Sequence, residues 1–326
     1  EVGNTTYDQR LIEASFTGPL FELPAGSVEV AVGASYREEE IDDTPGHNER
    51  NFNIWGSTTA GRTAGDDSVR EYFAEANIPL LADMPLFEAL ELSLSGRLVD
   101  YESYGEGDTY KVGLNWRVFP DFRIRASLGT SFRAPALYEL YLANQSSFIA
   151  QNIIDPCILW ENSDNPNVQT NCPAAGVPLN YPGAGTSSAT VFAGGGAGLL
   201  EAEESEASTL GIIWTPSELG LDGLSVAIDY FDITVNDEIR QFGAANIVNS
   251  CYGSSHGPGF DNAEPLCSLL VRNPGVNPPG GAGPNAIQTV NNNYVNVAHQ
   301  GNRGIDLNLR YERDIGPGEF TFQGEA

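Results

Sequence analysis

Hydrophobic and polar residues alternate from Tyr110 to Arg133, with one interruption at Pro120-Asp121. Before the interruption, the apolar set is Tyr110, Val112, Leu114, Trp116 and Val118, and the polar set includes Lys111, Asn115 and Arg117. After it, the apolar set is Phe122, Ile124, Ala126 and Leu128, and the polar set is Arg123, Arg125, Ser127, Ser131 and Arg133. Because successive side chains of a strand point to opposite faces, this period of two predicts two antiparallel β-strands joined by a tight turn.

Two architectures fit a hairpin with one apolar face and one cationic face. In a soluble sandwich the apolar face packs inward and the arginines face water. In a membrane barrel the apolar face contacts lipid, the arginines line a polar lumen, and aromatic residues form a band at the interface. The alternation by itself is compatible with both.

The connections between the predicted strands differ in length on the two sides of the sheet. Short turns are predicted around Pro24, Pro85, Pro120-Asp121, Leu219 and Pro317, whereas three of the four connections on the other side are long. Trp116, Phe119, Phe122 and Trp214 lie beside the short turns, where an interfacial girdle would form. This asymmetry favours an all-β fold, an antiparallel transmembrane β-barrel segment of about ten or eleven strands. Its long extracellular loops would cover residues 134–203 and 236–286.

One motif resembles a known family. The segment SFRAPALYELY, from Ser131 to Tyr141, is similar to the FRAP…EL segment of TonB-dependent outer-membrane receptors. Further stretches resemble strands of the same family in the same order: Gly18–Glu40, Asn77–Tyr101, Leu200–Pro216, Leu224–Ile239 and Gly301–Tyr311. The resemblance implies that residues 1–326 form a single partial barrel domain, roughly half of a barrel of about 22 strands.

The same resemblance implies partners for the chain. These are outer-membrane lipid of a Gram-negative bacterium, an N-terminal plug domain, TonB, and a small-molecule cargo. The plug, its energy-coupling box and the terminal strands are not found in the sequence. The chain starts at Glu1 without an initiator methionine and ends within a predicted strand at Ala326, so we expect it to be part of a longer protein.

The amino-acid composition excludes some classes of partner and of membrane segment. The net charge is −28, with 44 acidic against 16 basic side chains, which makes nucleic acid an unfavourable partner because phosphate binding needs clustered cations. The acidic residues are interpreted as solvated loop residues, and a divalent-cation role is the alternative. No run of 18 apolar residues occurs, which excludes a transmembrane helix.

Four cysteines form two local pairs, Cys157 with Cys172 and Cys251 with Cys267, each in a segment rich in Gly, Pro and Asn. An even number of cysteines at short spacing within loops predicts two disulfides, and therefore an oxidising compartment. Metal binding is the competing interpretation, but neither pair has CxxC spacing or a nearby histidine.

No catalytic or cofactor motif is present. His47, His256 and His299 are isolated and lack a HExxH pattern. The glycine-rich run at Gly194–Gly198 lacks the Lys-Ser/Thr of a phosphate-binding loop, and Gly129–Phe132 lacks the second glycine of a nucleophile elbow. We therefore expect a protein that is not an enzyme and that needs no cofactor or metal.

Candidate ligand-contacting aromatics are predicted in the two long loops: Trp160, Tyr181, Phe192 and Tyr252. For each of them plain packing is the alternative role. Four cations of the predicted hairpin over Tyr110–Arg133 are predicted to face the lumen or the plug: Arg117, Arg123, Arg125 and Arg133. They could pair with acids of neighbouring strands, such as Glu29 and Glu91, or with the plug.

The sequence is compatible with three functions. The resemblance implies TonB-energised uptake of a scarce nutrient, such as a siderophore, cobalamin or an oligosaccharide. A passive outer-membrane porin or structural barrel shares the strand pattern without the plug. A secreted soluble β-sandwich that acts as a binding module explains the alternation but not the one-sided long loops.

Overall fold

The computed structural model describes residues 2–54, 58–185, 187–217, 221–258, 264–273 and 283–326. The strands are β1 (Asn4–Leu23), β2 (Gly26–Thr44), β3 (Thr63–Met84), β4 (Phe87–Tyr101), β5 (Gly105–Phe119), β6 (Phe122–Arg133), β7 (Gln145–Ala150), β8 (Ser188–Ala193), β9 (Glu203–Trp214), β10 (Leu224–Gln241), β11 (Leu270–Arg272), β12 (Ile287–Asn291), β13 (Tyr294–Ile315) and β14 (Gly318–Glu325). The helices are short: α1 (His47–Arg50), α2 (Leu137–Tyr141), α3 (Gln151–Ile154), α4 (Pro166–Ala174) and α5 (Ala244–Gly253).

Ten strands form one large antiparallel sheet in the order β1-β2-β3-β4-β5-β6-β9-β10-β13-β14. Each strand pairs with the next large-sheet strand in sequence, so the sheet is an up-and-down meander and a partial barrel. The remaining strands form a four-stranded sheet, β11-β12-β8-β7, inside the long connections. The predicted all-β class and antiparallel barrel segment are confirmed, and the large sheet has ten strands in the described part of the chain.

The register confirms the faces that the alternation predicts. Asn115 lies opposite Arg125, and Leu114 lies opposite Ala126, so side chains of one type meet across the hairpin. We call the side that carries Lys111, Asn115, Arg125 and their register partners the polar face. The opposite side, with Leu114, Ala126 and their register partners, is the apolar face.

Large apolar side chains lie exposed on the apolar face of all ten strands. One example from each strand, in chain order, is Phe16, Val32, Tyr72, Leu94, Leu114, Leu128, Leu210, Ile228, Ile305 and Phe322. Soluble monomeric proteins seldom expose a continuous apolar surface of this extent. No helix in the described ranges is long and apolar enough to cross a membrane.

The short connections lie at one edge of the large sheet. Residues 24–25, 85–86, 120–121 and 316–317 join consecutive strands. Leu86 and Gly316 have positive φ angles of 66° and 61°, a conformation that tight hairpin turns require. The predicted turn around Leu219 falls on residues 218–220, which lie outside the described residues.

Aromatic side chains pack beside these turns. The Phe87 and Trp116 rings stack at 5.3 Å, and the Phe119 and Phe122 rings stack at 5.4 Å. Trp116 also donates its indole N–H to the carbonyl oxygen of Leu86, 2.8 Å away. Trp214 lies directly opposite Phe122, so the predicted aromatic positions form one row at the short-turn edge.

Some strand boundaries do not follow the pattern of apolar residues. Strands β2 and β3 extend into the polar stretch at residues 38–67, where Glu38 pairs with Ser68 and Asp43 with Thr63. Backbone hydrogen bonds extend these strands beyond their apolar part, which a hydrophobicity pattern does not detect. Residues 290–298 are divided between the two sheets, because β12 belongs to the small sheet and β13 to the large one.

Candidate ligand-binding region and polar face

Two long connections leave the same edge of the large sheet and fold together. The first long connection spans residues 134–202 between β6 and β9, and the second spans residues 242–293 between β10 and β13. Strands β8 and β12, one from each connection, pair in parallel. We call the unit built from β7, β8, β11, β12, α3, α4 and α5 the loop module.

The loop module has a hydrophobic core of its own. Ile154, Val168 and Val191 of the first long connection pack in one buried cluster with Ile247, Val248 and Ile287 of the second. This cluster is the largest hydrophobic core among the described residues. The strands of the large sheet contribute little to any core, because most of their apolar side chains are exposed. Burial of this kind is the main favourable contribution to folding, so the two connections stabilise each other.

Both cysteine pairs are disulfides in the structure. Cys157 bonds to Cys172 of α4, and Cys251 of α5 bonds to Cys267. Each bond closes a loop within one connection, and Cys157, Cys172 and Cys251 belong to the shared core. A crosslink over a sequence separation of 15 or 16 residues restricts the unfolded chain by about 3 kcal/mol in the entropy description.

A buried ion pair joins the two connections. Arg272 on β11 donates two hydrogen bonds to the Asp155 carboxylate, at 2.7 and 2.8 Å, and their side chains are 7% and 0% exposed. The Arg272 Nε atom also donates to the Tyr252 hydroxyl at 2.7 Å, and the guanidinium lies 4.8 Å from the centroid of the Tyr252 ring. The charge of Arg272 is thus compensated on several sides, as burial of a charge requires.

Side-chain amides make further links between the connections. Gln151 donates to the carbonyl oxygen of Ile287 at 2.6 Å and accepts from the backbone N–H of the same residue at 3.1 Å. Asn171 donates to the carbonyl oxygens of Tyr252 and Ser254 at 2.8 and 2.7 Å. These buried groups have their hydrogen-bond partners, so the module is specified by polar contacts as well as by apolar packing.

The structure places Tyr181, Tyr252 and Trp160 in or against this core, whereas Phe192 follows the core residue Val191 on β8. Tyr252 and Tyr181 are 1% and 4% exposed, so almost none of their surface is open to a ligand. Burial raises the pKa of Tyr252, and it raises the pKa of Tyr181 to about 12, with the Asp155 charge acting in the same direction. Trp160 and Phe192 are half-buried, and Trp160 donates its indole N–H to the carbonyl oxygen of Pro178 at 3.1 Å.

The four predicted arginines all lie on the polar face, but their contacts differ. Arg125 makes a two-pronged contact with Asp229, at 2.9 and 2.7 Å, across the intervening strand β9. Of the acids expected as partners, Glu91 accepts instead from Asn115, and Glu29 lies opposite Asn77. Asp229 was not among the expected partners, because it lies two strands away from Arg125 in the sheet.

Arg133 explains the spacing of the SFRAPALYELY motif. At the end of β6 it donates to Glu139 of α2 and to Glu203 at the start of β9, with distances of 2.6 to 3.2 Å. Glu203 also accepts from the backbone N–H of Ile239 on β10. The arginine and glutamate of the motif therefore fasten α2, where the first long connection begins, to three strands of the large sheet.

The polar face lines a cavity of about 890 Å³. Six strands contribute to it, with lining residues that include Ser93, Asn115, Ser127, Thr209, Asp229 and Asn302. A polar cavity on the concave side of a partial barrel is chemically suited to water, to a polar solute or to a polar protein surface. No group of three or more His, Cys, Asp and Glu side chains within the described residues could hold a metal ion.

These features together are typical of a β-barrel: a meander of antiparallel strands, an exposed apolar face, a cavity lined mainly by polar residues, and long connections on one side. Residues 2–325 match the family described as TonB dependent receptor-like, beta-barrel, and the chain belongs to this family. The sequence resemblance is thereby confirmed.

Solved structures of siderophore receptors share the fold. The siderophore receptor PirA from Pseudomonas aeruginosa is 14% identical, with a TM-score of 0.54 over 99% of this chain and 43% of that one. The ferric enterobactin receptor PfeA is 16% identical, with a TM-score of 0.58 over 98% of this chain and 35% of that one. The chain thus spans less than half the length of these structures.

A curated relative matches over a shorter stretch. The vitamin B12 transporter BtuB of Vibrio cholerae is 40% identical over 52 residues, which are 16% of this chain and 8% of the transporter. This match is local and concerns only a small part of either protein.

Proposed function

We propose that this chain forms part of the barrel wall and the ligand-capturing loops of an outer-membrane receptor for TonB-energised nutrient uptake. The observation that carries the proposal is the loop module, a folded unit made from the two longest connections at one edge of a partial barrel. A module with its own core, two disulfides and a buried ion pair provides a preorganised surface at the mouth of the barrel.

The membrane location is supported by the apolar face and the row of aromatics at the short-turn edge. In this arrangement the apolar face contacts outer-membrane lipid, the short turns face the periplasm and the loop module faces the outside. A disulfide-bonded module on that side agrees with an oxidising compartment.

The cargo is a small molecule that is scarce outside the cell. Relatives with the same fold are described as siderophore and ferric enterobactin receptors, and the local sequence match is a vitamin B12 transporter. We place a siderophore first and cobalamin second, with an oligosaccharide as a third class. Trp160 and Phe192 offer partly exposed aromatic surface to such a cargo, and Tyr181 and Tyr252 support the module from within.

The polar face would contact the plug and the passing cargo. Arg125 and Arg133 are already paired with acids of the barrel wall, so we assign them to holding the wall and the loop module in place. Energy for uptake would come from TonB acting on the plug.

The test uses the full-length protein that contains this segment, expressed in a Gram-negative host that lacks its own siderophore and cobalamin receptors. We expect the protein in the outer-membrane fraction, with heat-modifiable migration in detergent gels. Uptake of labelled ferric siderophore or cobalamin should occur only when TonB is present.

A deletion of residues 145–193 should abolish capture of cargo at the surface while the barrel still reaches the membrane. Uptake that continues without TonB would assign a passive barrel instead. A soluble protein indifferent to detergent would contradict any role in a membrane.

A further inference from the structure

The two long connections carry a strong excess of negative charge. Residues 134–202 contain five acidic side chains and no lysine or arginine, and residues 242–293 contain two acidic side chains and one arginine, Arg272. The net charge of the two connections together is therefore −6, with His256 neutral. Charges of one sign that are concentrated on one side of a protein attract or repel charged solutes before contact is made.

The single arginine of the connections is not accessible to a ligand. The side chain of Arg272 is 7% exposed, and it donates to the Asp155 carboxylate and to the Tyr252 hydroxyl. An anion could reach the guanidinium only by breaking this buried pair, which would leave Asp155 uncompensated. The two connections therefore present no lysine or arginine to an anionic ligand.

Most acids of the connections lack a cationic partner. Two of the seven are neutralised, Glu139 by Arg133 and Asp155 by Arg272, and Asp261 lies outside the described residues. The other four have no lysine or arginine within ion-pair distance in the described ranges: Glu161, Asp164, Glu201 and Glu264. Their charge thus acts on any solute that approaches the loop module.

The strand ends next to the loop module add charge of the same sign. Carboxylates line a cavity of about 580 Å³ at this edge of the large sheet, and no described lining residue is cationic. The acids belong to the start of β5, to the first long connection and to the start of β9: Glu106, Asp108, Glu201, Glu204 and Glu206. An anion therefore meets a repulsive field along the whole of this edge.

A groove on the loop module presents neutral hydrogen-bonding groups instead. It has a volume of about 570 Å³, and its lining combines residues of both connections: Asn165, Phe242, Asn246, Asn249, Ser250 and Glu264. The side chains of Asn246 and Asn249 are exposed on α5. An amide can donate and accept at the same time, so it binds uncharged hydroxyl and carbonyl groups without the cost of removing a full charge from water.

We propose that the loop module captures a ligand without negative charge, which contacts the neutral amides and hydroxyls of the α5 groove, and that the surrounding carboxylates repel anionic ligands. The inference rests on the proposed function, in which this module faces the outside and meets the cargo. Within the siderophore class it selects uncharged ferric hydroxamates over anionic ferric catecholates. Cobalamin and neutral oligosaccharides meet the same requirement.

The first test measures the selection by charge without knowledge of the cargo. The variant N249C of the full-length protein places a thiol in the groove, and the wild type supplies the background, because the described cysteines are all disulfide-bonded. The thiol is modified with a cationic and an anionic methanethiosulfonate, and each rate is divided by the rate with a free thiol. We expect the cationic reagent to be favoured about 10-fold or more at low ionic strength, with a ratio that approaches one in high salt.

Two further variants locate the source of the selection. N249C/D164N/E264Q removes two acids at or next to the groove with little change in shape, and should lower the ratio severalfold. N249C/D83N/E88Q makes the same change in net charge at exposed positions of the short-turn edge, and should keep the ratio of N249C. Equal modification by both reagents in N249C would overturn the inference, and so would an equal loss of selection in the two charge variants.

The second test measures binding to the wild type, with an uncharged ferric tris-hydroxamate and an anionic ferric tris-catecholate as probes. We expect tighter binding of the hydroxamate at low ionic strength, and tighter binding of the catecholate at low ionic strength would overturn the inference. If neither complex binds, the siderophore cargo of the proposed function fails and the thiol ratio decides the charge selection. Uptake of an uncharged cargo without TonB would retain the charge selection and reject the energised function.

Discussion

At the scale of single residues, Gly211 occupies a position on the polar face where no larger residue fits. It lies on β9 directly between Arg125 on β6 and Asp229 on β10. A Cβ atom at this position would overlap the Asp229 carboxylate and lie 3.0 Å from Arg125 Nε. The glycine therefore leaves the space through which the ion pair crosses the strand.

The substitution G211V tests this explanation. We expect a loss of about 1–3 kcal/mol in the free energy of unfolding, because the added side chain displaces the ion pair and overpacks its surroundings. The measurement is thermal or denaturant unfolding of the full-length protein in detergent. G301V is the matched control, since nothing lies within 4 Å of a Cβ at Gly301. Equal stability of the two variants would contradict the role assigned to Gly211.

At the scale of elements, the loop module is an independently stabilised unit attached to the large sheet. Its core, its two disulfides and the Arg272–Asp155 pair lie within the two long connections. Arg133 and Glu139 fasten its first connection to the strands. A local opening of the module can therefore occur without unfolding of the sheet, as is common for units with separate cores.

The substitution D155A tests the cohesion of the module. Removal of one partner of a buried pair costs about 3–5 kcal/mol, because Arg272 would remain buried and uncompensated. We expect faster amide exchange in α3 of the first connection and in α5 of the second, with β5 and β6 unchanged. D164A removes an exposed carboxylate from the same connection and serves as the control. Faster exchange confined to one connection would show that the two do not form one unit.

At the scale of the whole molecule, the arrangement of the two faces is inverted relative to a soluble domain. The described sheet buries few of its apolar side chains, while its cations and acids pair on the concave polar face. Such a sheet lowers its free energy when lipid covers the apolar face, because that removes apolar surface from water.

The substitution I228R tests this orientation. An arginine on the lipid-facing side of a barrel strand costs about 2–4 kcal/mol at the bilayer midplane and less towards the interfaces. We expect a cost between these limits, because Ile228 lies two residues inside the position where Trp214 pairs with Val226. We expect a smaller fraction of heat-modifiable, folded full-length protein after refolding into lipid vesicles. N302R places the same side chain on the polar face of β13, where it can remain hydrated, and should fold like the wild type. An equal effect of the two substitutions would argue against lipid contact at Ile228.

The sequence by itself determined most strands of the large sheet, their two faces and the family. A strand has a fixed period of two, so the two faces of each hairpin can be assigned from its own residues. The SFRAPALYELY motif contains residues that are close in sequence and contact each other, such as Arg133 and Glu139. The two disulfides could also be predicted from the sequence, because each joins cysteines only 15 or 16 residues apart.

Only the tertiary structure decided the contacts between distant segments. Arg125 meets Asp229 because β9 is inserted between β6 and β10 and carries a glycine at the crossing point. The two long connections are rich in Gly, Pro and Asn and show no periodicity that would predict a shared core. In the structure they nevertheless form one, in which Tyr181 and Tyr252 are buried. Such partners are brought together by the path of the whole chain, which no local pattern of side chains encodes.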